Sequence, residues 1–384
     1  MNFYYWSPFL SNVATVKAVL NSAISIKKFS KQINPSIINV IGEWSSFEKQ
    51  IKKNNIDIIS FEKNNEIYSK LPRYSYLKSR FSYLLIFIRS AIKLYKFLSL
   101  RTENDYIILH LITSLPLILI ILFNFKCKFI LRISGFPKLN FFRKMLWILS
   151  EKKLHKVLTP TKDTKIMLSD NKIFNTNNIT VVRDPIINIS EINVLKNEKL
   201  NEIKNEKYII SVGRLTRQKN HKFLINSFKI IKEKFVDLKL VILGEGELKE
   251  NLINQVKKLN LLNDVKFLGY TTNVFKYYKN SLCFILTSEW EDPGFVIVEA
   301  AASKIPIISS DCKNGPKEFI NFDERGYLYK NYDFESFKSK FEEFMNDNKF
   351  NKDKLENKIL NALKEAKKYT QFYHFKEIVK IIES

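Results

Sequence analysis

The segment SVGRLTRQKN, residues 211–220, ends an apolar run at Val212 and then sets Arg214 and Lys219 in one short loop behind Gly213. Gly lets a backbone pass close to a ligand. Arg offers a planar fork of donors and Lys a point charge, and the two together suit a diphosphate. A solvated basic loop would read the same way. A second segment, LGEGE at 243–247, opens a helix but lacks the third Gly of G-x-G-x-x-G, so a tight strand-to-helix turn is its simpler account. A third, EDPGFVIVE at 291–299, spaces two carboxylates eight positions apart. Pro293 and Gly294 put Glu291 in a turn and predict a helix starting near Phe295. The amides of Gly294, Phe295 and Val296 then become helix-start donors. Glu299 falls about one turn further in. A carboxylate accepts two hydrogen bonds, which matches a pair of vicinal hydroxyls. The same Glu299 could instead compensate the helix dipole, an effect of about 0.3–1 kcal/mol. Acceptors plus free amides at one helix start suit a phosphorylated polyol.

These groups need elements to position them. In the N-terminal half, Ile37–Ile41, Ile56–Ile59, Tyr106–Leu109, Phe129–Ile133 and Lys156–Thr159 read as strands, with helical stretches between them. In the C-terminal half, Tyr208–Val212, Leu240–Leu243, Val265–Leu268, Leu282–Leu286 and Ile305–Ile308 read as strands, and Lys222–Phe235 and Leu248–Leu259 as amphipathic helices. This alternation predicts βαβ units and parallel sheets. The polar stretch 186–206 reads as a linker between domains at 1–185 and 207–365, with 366–384 a final helix free to return to the first domain. Seven of the nine glycines lie between Gly213 and Gly326, mostly just beyond strands. They mark the strand edge where open α/β sheets bind ligands.

Composition narrows the class. Hydrophobic residues are 45% and charged residues 27%, so the chain is globular. Its 384 residues suit two or three domains. Three scattered cysteines make neither a disulfide framework nor a zinc spacing, and a reducing compartment follows. The net charge of +24 attracts anions, although a Lys/Asn/Ile-rich composition can produce it without any binding role. No nucleic-acid module is present, and no nucleic-acid partner is expected. Ile107–Phe123 is barely long enough for a membrane span and contains His110 and Pro116; a buried strand, a turn and a buried helix from about Leu115 fit it better. The start has neither a basic n-region nor an apolar h-region, so the expected location is cytoplasmic, with attachment to the inner membrane face left open.

The set SVGRLTRQKN, LGEGELKE, VKFLGY and TSEWEDPGFVIVEAAASKIPIISSDCKNGPKEFI resembles, in order and spacing, the group-1 (family 4) glycosyltransferases. The match is good over about 207–330. It is looser in the N-terminal half, where FYYWSPFLSNVATVKAV and the strand layout carry it. The resemblance implies a GT-B fold, two Rossmann-like domains facing across a cleft, and retaining transfer from a nucleotide-diphosphate sugar, UDP favoured. It implies that Arg214 and Lys219 hold the diphosphate as leaving group. Glu299 would accept from the ribose, Glu291 would meet the transferred sugar, and the base would pack near Gly269 and Tyr270. His110 stands where the family has a His facing that sugar; a satisfied core histidine is the other reading. Many relatives carry a Gly-Gly loop near the N-terminus; here LSNVA at 10–14 has no Gly, and Asn12 is the substrate-binding candidate within it. No Asp-x-Asp occurs, so neither a metal nor a cofactor is expected and the two cations take the metal's place. The implied acceptor is a surface glycan or its lipid carrier. A basic nucleic-acid-binding protein, or a membrane-associated protein of this fold without activity, is the alternative.

One more feature bears on the acceptor. Lys63–Arg101 holds nine basic residues and one acidic residue, Glu66. Within it Phe81, Leu85, Ile88 and Ile92 share one helical face and Arg89, Lys93 and Lys96 another. The expectation is a core helix buried by its apolar stripe, with a basic outer face that attracts anionic lipid.

Overall fold

A computed structural model describes residues 1–10, 14–62, 68, 71, 76–203 and 206–383. The chain divides into two compact units, Met1–Ile186 with Gln371–Ser384, and Ile187–Thr370.

In the first unit seven parallel strands form one sheet, in the order β3-β2-β1-β4-β5-β6-β7. They are β1 (Asn2–Trp6), β2 (Asn34–Asn39), β3 (Asp57–Ser60), β4 (Asp105–Leu109), β5 (Lys128–Arg132), β6 (Leu154–Thr159) and β7 (Ile179–Val181). The central strands are buried on both faces, as helix-covered parallel strands must be, and so read as unbroken apolar runs. Strand β1 was not among the expected strands. Its aromatic string NFYYW has no period-2 alternation, yet Phe3, Tyr5 and Trp6 are all fully buried.

The segment Ile107–Phe123 folds as β4, a short turn and the helix Ser114–Leu122. Among the described residues no helix is long and apolar enough to cross a membrane. The helix Tyr76–Ser99 differs from its sequence reading. Ser82, Ile86, Ser90, Leu94 and Leu98 face the core, and of the expected stripe only Leu85 packs there. Phe81, Ile88 and Ile92 are 55%, 62% and 69% exposed. The physical reason is the pair of small serines, which bring the helix close to its neighbours. Ser90 satisfies its hydroxyl on the Ile86 carbonyl at 2.5 Å.

The helix Gln371–Glu383 belongs to the first unit and packs on the helix Ala14–Phe29, where Phe29 meets the rings of Phe372 and Phe375 at 5.3 and 5.8 Å. A buried relay ties it down. Tyr5 Oη and Ser22 Oγ are 2.9 Å apart, Ser22 Oγ and His374 Nε2 2.7 Å, and His374 Nδ1 and the Arg183 carbonyl 2.8 Å. A carbonyl only accepts, so Nδ1 carries the proton and Ser22 donates to Nε2.

In the second unit six parallel strands run in the order β10-β9-β8-β11-β12-β13. They are β8 (Tyr208–Val212), β9 (Lys239–Leu243), β10 (Val265–Phe267), β11 (Phe284–Leu286), β12 (Ile307–Ser310) and β13 (Tyr327–Tyr329). The polar stretch 186–206 carries the helix Ile189–Leu195, capped by Asn188 and joined to this unit through Asn273, which donates to the Leu195 carbonyl at 2.9 Å. Both sheets reverse strand order once, between β1 and β4 in the first and between β8 and β11 in the second. Loops diverge at such a switch point and leave a crevice at the carboxyl ends.

Candidate active site

The loops that leave β8 and β11, on either side of the second switch point, carry the basic and acidic residues singled out from the sequence. Lys219 Nζ donates to Glu291 Oε1 at 2.6 Å. The carboxylate is 4% exposed, so it is held between the ammonium and the Ser288 hydroxyl, which donates to the same oxygen at 2.5 Å. An ammonium has three donors, and this pair uses one. Arg214 is exposed and, among the described residues, reaches Gln218 Oε1 alone, at 3.4 Å. Its fork is thus available to an anion beside a lysine that is already oriented.

Glycines make this close packing possible. A side chain at Gly213 would press on the Lys219 stem at 3.1 Å. A Cβ on Gly244, whose φ is +143°, would sit 1.9 Å from the Gly213 carbonyl oxygen. Gly244 N–H in turn donates to the Gly269 carbonyl at 2.8 Å. The backbones leaving β8, β9 and β10 are therefore stacked edge to edge, with exposed Tyr270 beyond them. The segment LGEGE is part of that stack rather than a helix-opening phosphate loop; the helix begins only at Lys249. On the other flank Gly294 adopts a left-handed conformation (φ 81°) and opens the helix Phe295–Ala302, with no side chain capping it. Phe295, Val296 and Glu299 are half-buried there. Buried Tyr278 donates to the Val296 carbonyl at 3.4 Å, and burial together with the Glu299 charge pushes its hydroxyl pKa far up.

The structure brings Gly213, Arg214, Lys219, Glu291 and Gly294 into one contiguous cluster, and joins Gly269 to it through Gly244. Several supporting groups were not singled out beforehand. Thr287 Oγ1 donates to the Lys219 carbonyl at 2.9 Å, and Asn314 Nδ2 donates to the Glu291 carbonyl at 2.9 Å and to Asp292 Oδ1 at 2.8 Å. Their signal was position: Thr287 and Ser288 follow β11 directly, and Asn314 lies just beyond β12.

In the first unit His110 follows β4 and is buried, its amide bound to the Trp6 carbonyl at 2.9 Å. Burial, aided by the nearby Arg132 charge and opposed by Asp184, lowers its pKa to about 3, so the ring is neutral. Its Nε2 has no hydrogen-bond partner among the described residues. Arg132 itself is buried against Asp184 at 2.6 Å. Asn12 lies outside the described residues. The three thiols are buried, and burial raises Cys127 and Cys312 to about 12, which leaves them inert as nucleophiles. Among the described residues no group of three potential ligands could hold a metal ion.

The model of the family Glycosyl transferases group 1 matches residues 195–368. Over 308 residues the chain is 32% identical to an uncharacterized glycosyltransferase of Methanocaldococcus jannaschii, spanning 77% of this chain and 73% of that protein. The chain belongs to the group-1 glycosyltransferases. A shorter stretch of this glycosyltransferase, 123 residues, is 41% identical to the N-acetylgalactosamine-N,N'-diacetylbacillosaminyl-diphospho-undecaprenol 4-alpha-N-acetylgalactosaminyltransferase of Campylobacter jejuni, covering 32% of this chain and 33% of that protein. The crystal structure of Anabaena HepE in complex with UDP superposes with a TM-score of 0.71 at 15% identity, covering 100% of this chain and 99% of that one, which shows the shared GT-B fold.

Proposed function

We propose that this glycosyltransferase moves a hexose or N-acetylhexosamine from a UDP-sugar to a surface-glycan or lipid-linked acceptor, with retention at the anomeric carbon and without a metal bridging the diphosphate. The observation that carries the proposal is the 2.6 Å Lys219–Glu291 pair beside the exposed guanidinium of Arg214, which has one long bond to Gln218. It sets two cations and a carboxylate at the switch point of one sheet. The UDP in the HepE crystal and the diphospho-undecaprenol acceptor in the Campylobacter enzyme's name support the choice of sugar donor and acceptor.

The chemistry follows from charge. As the anomeric C–O bond breaks, its electron pair moves onto the departing β-phosphate. Arg214, Lys219 and the helix-start amides at Gly294, Phe295 and Val296 stabilise that charge, and one such group is worth about 2.7–4 kcal/mol in a transition state. The acceptor oxygen bonds to the anomeric carbon on the face the phosphate leaves, and its proton passes to the departing phosphate oxygen. Glu291, fixed by Lys219 and Ser288, turns its other oxygen to the sugar hydroxyls. Glu299 accepts from the ribose, and Gly269 with Tyr270 flanks the base. His110 and Asn12, both in the first unit, keep the catalytic and substrate-binding places that the family resemblance implies for them. Attachment is peripheral, on an anionic cytoplasmic membrane face.

Turnover of Arg214→Ala and Lys219→Ala with a panel of UDP-sugars, read beside their circular dichroism, tests the assignment. Both should fold and lose most activity, and NMR of the wild-type product should show the anomeric configuration of the sugar donor. Wild-type rates in either variant, or an inverted product, would overturn it.

A further inference from the structure

A cavity of about 830 Å³ in the first unit opens at the carboxyl ends of β1, β4 and β5. Its size is that of a small-molecule site, roughly 300–1,000 Å³. Its walls are mainly apolar, with Thr113, Ser134 and Asn140 among the polar members: Trp6, Leu115, Ile118 and Trp147 line it, and Tyr83, Phe142 and Met145 do so while also standing exposed on the surface. The cavity is thus continuous with an uncovered apolar face.

That face is extensive. On the helix Phe141–Ser150, Phe141 and Phe142 are 74% and 75% exposed, and Leu149 is exposed as well. The displaced stripe of the helix Tyr76–Ser99, Phe81 with Ile88 and Ile92, adds to the exposed apolar area of this unit. Exposed apolar area of this extent marks an interaction site. The charges carried by the helices that bound it have one sign, although Glu62 from outside them pairs with Lys93 at 2.8 Å. The helices Tyr76–Ser99, Ser114–Leu122 and Phe141–Ser150 carry no acidic residue. Arg143 lines the cavity, and exposed Lys138 and Lys144 flank it. Arg132 also reaches the wall, but Asp184 neutralises it.

We infer that this cavity binds the hydrocarbon chain of an anionic amphiphile, with the headgroup phosphate held at Arg143 and the exposed face of Phe141–Ser150 lying in the lipid surface. The inference rests on the glycosyltransferase reading for its biological meaning: the amphiphile is the lipid-linked acceptor, and the cavity is where its tail is held. A protein partner would be served by the apolar face alone and would leave the deep, cation-flanked cavity unused.

Trp6 and Trp147 make the site visible, because both line the cavity. A single-chain alkyl phosphate brominated along its chain, kept below its micelle concentration, should quench fluorescence of the full-length protein. Trp147→Phe should remove a large part of that quenching. Phe142→Glu, at an exposed position that folding does not require, should weaken binding roughly tenfold or more, while transfer to a chain-free glycan stays at the wild-type rate. Equal quenching by a neutral amphiphile of the same chain, or unchanged affinity in Phe142→Glu, would overturn the inference. So would a wild-type dimer that Phe142→Glu dissociates without any amphiphile binding. If no amphiphile binds but sugar transfer proceeds, the inference fails and the enzyme assignment stands. If the amphiphile binds but UDP does not, the assignment fails alone.

Discussion

The two sheets of this glycosyltransferase share a topology and a switch point, yet their strand edges are built from opposite materials. In the second unit the edge is glycine and charge: backbones stacked at Gly213, Gly244 and Gly269, and a nearly buried Lys219–Glu291 pair fixed by Ser288 and Asn314. In the first it is a mainly apolar cavity beside a buried neutral His110, lined by Trp6, Phe9 and Leu115. One sheet edge with glycines admits a polar ligand against bare backbone. The other, furnished with Trp6, Phe9 and Leu115 and edged by Arg143, suits a ligand with an apolar body and an anionic end. Shared topology sets where each site is, and the residues just past each strand decide what it takes.

The comparison is broken most easily at the charged edge. Lys219→Ala removes a leaving-group cation and strands a buried carboxylate. Turnover should fall about 10²–10³-fold, whereas Arg143→Ala at the apolar edge should leave transfer to a soluble, chain-free glycan within a factor of two or so of wild type. Steady-state rates on that acceptor measure both. Equal losses would mean that the two edges do not divide the work as described.

Gly244→Ala attacks the packing instead of the chemistry. The new methyl would lie 1.9 Å from a carbonyl oxygen, at a φ that L-residues rarely adopt, so β8 and β9 must separate. A loss on the order of 3 kcal/mol is expected, readable as a shift of the urea midpoint, with UDP affinity falling alongside. Affinity kept at full strength in a destabilised protein would show that the stack is scaffold alone.

Much of this was legible in the residues, and the failures have physical causes. Five of the six C-terminal strands were visible because parallel strands buried on both faces leave continuous apolar runs, such as Leu240–Leu243, punctuated by Gly; β13, only three residues long, was not. Arg214, Lys219, Glu291 and Gly294 could be singled out because charged residues and a glycine directly follow apolar runs there, and the fold does bring them into one cluster. The pairing of Lys219 with Glu291 was not, since 72 residues separate them and only the fold brings them together. Ser288 and Asn314 were invisible because small polar residues follow strands everywhere. The helix Tyr76–Ser99 misled because it is apolar nearly all round. Periodicity selected the bulkiest stripe, whereas packing selected Ser82 and Ser90, which let the helix come closest.

Two buried serines sharpen the contrast at smaller scale. Ser288 donates to a carboxylate, and Ser22 to a neutral imidazole. Hydrogen bonds to charged groups are worth about 1.5–3 kcal/mol and neutral ones about 0.5–1.5. Ser288→Ala should therefore destabilise its unit more than Ser22→Ala does the other, by equilibrium denaturation. The reverse order would mean that the relay through Ser22 holds its unit more strongly than the Ser288–Glu291 bond holds the other.

A last contrast concerns His374, which closes the relay from Tyr5 and pins the final helix. Burial, opposed by the bond to the Arg183 carbonyl, lowers its pKa from 6.5 to about 4. Between those values the unfolded chain holds a proton that the folded chain does not. Stability therefore falls as pH falls from about 6.5 to about 4, by ~1.4 kcal/mol per pH unit for this one group. His110 and His221, each lowered to about 3, add slopes of the same sign that run further into acid. Glu43 works the other way. Burial raises its carboxyl to about 7, so the folded state gains a proton first and is favoured as pH falls from about 7 to about 4.5. His374→Gln keeps a group that can both donate and accept, but it cannot titrate. Its urea midpoint should respond less to acidification from about pH 6.5 to about 5 than that of wild type, with the contributions of His110, His221 and Glu43 left in place. A variant as acid-sensitive as wild type would show that His374 takes up its proton without breaking the relay, and that the final helix is held by Phe372 and Phe375 instead.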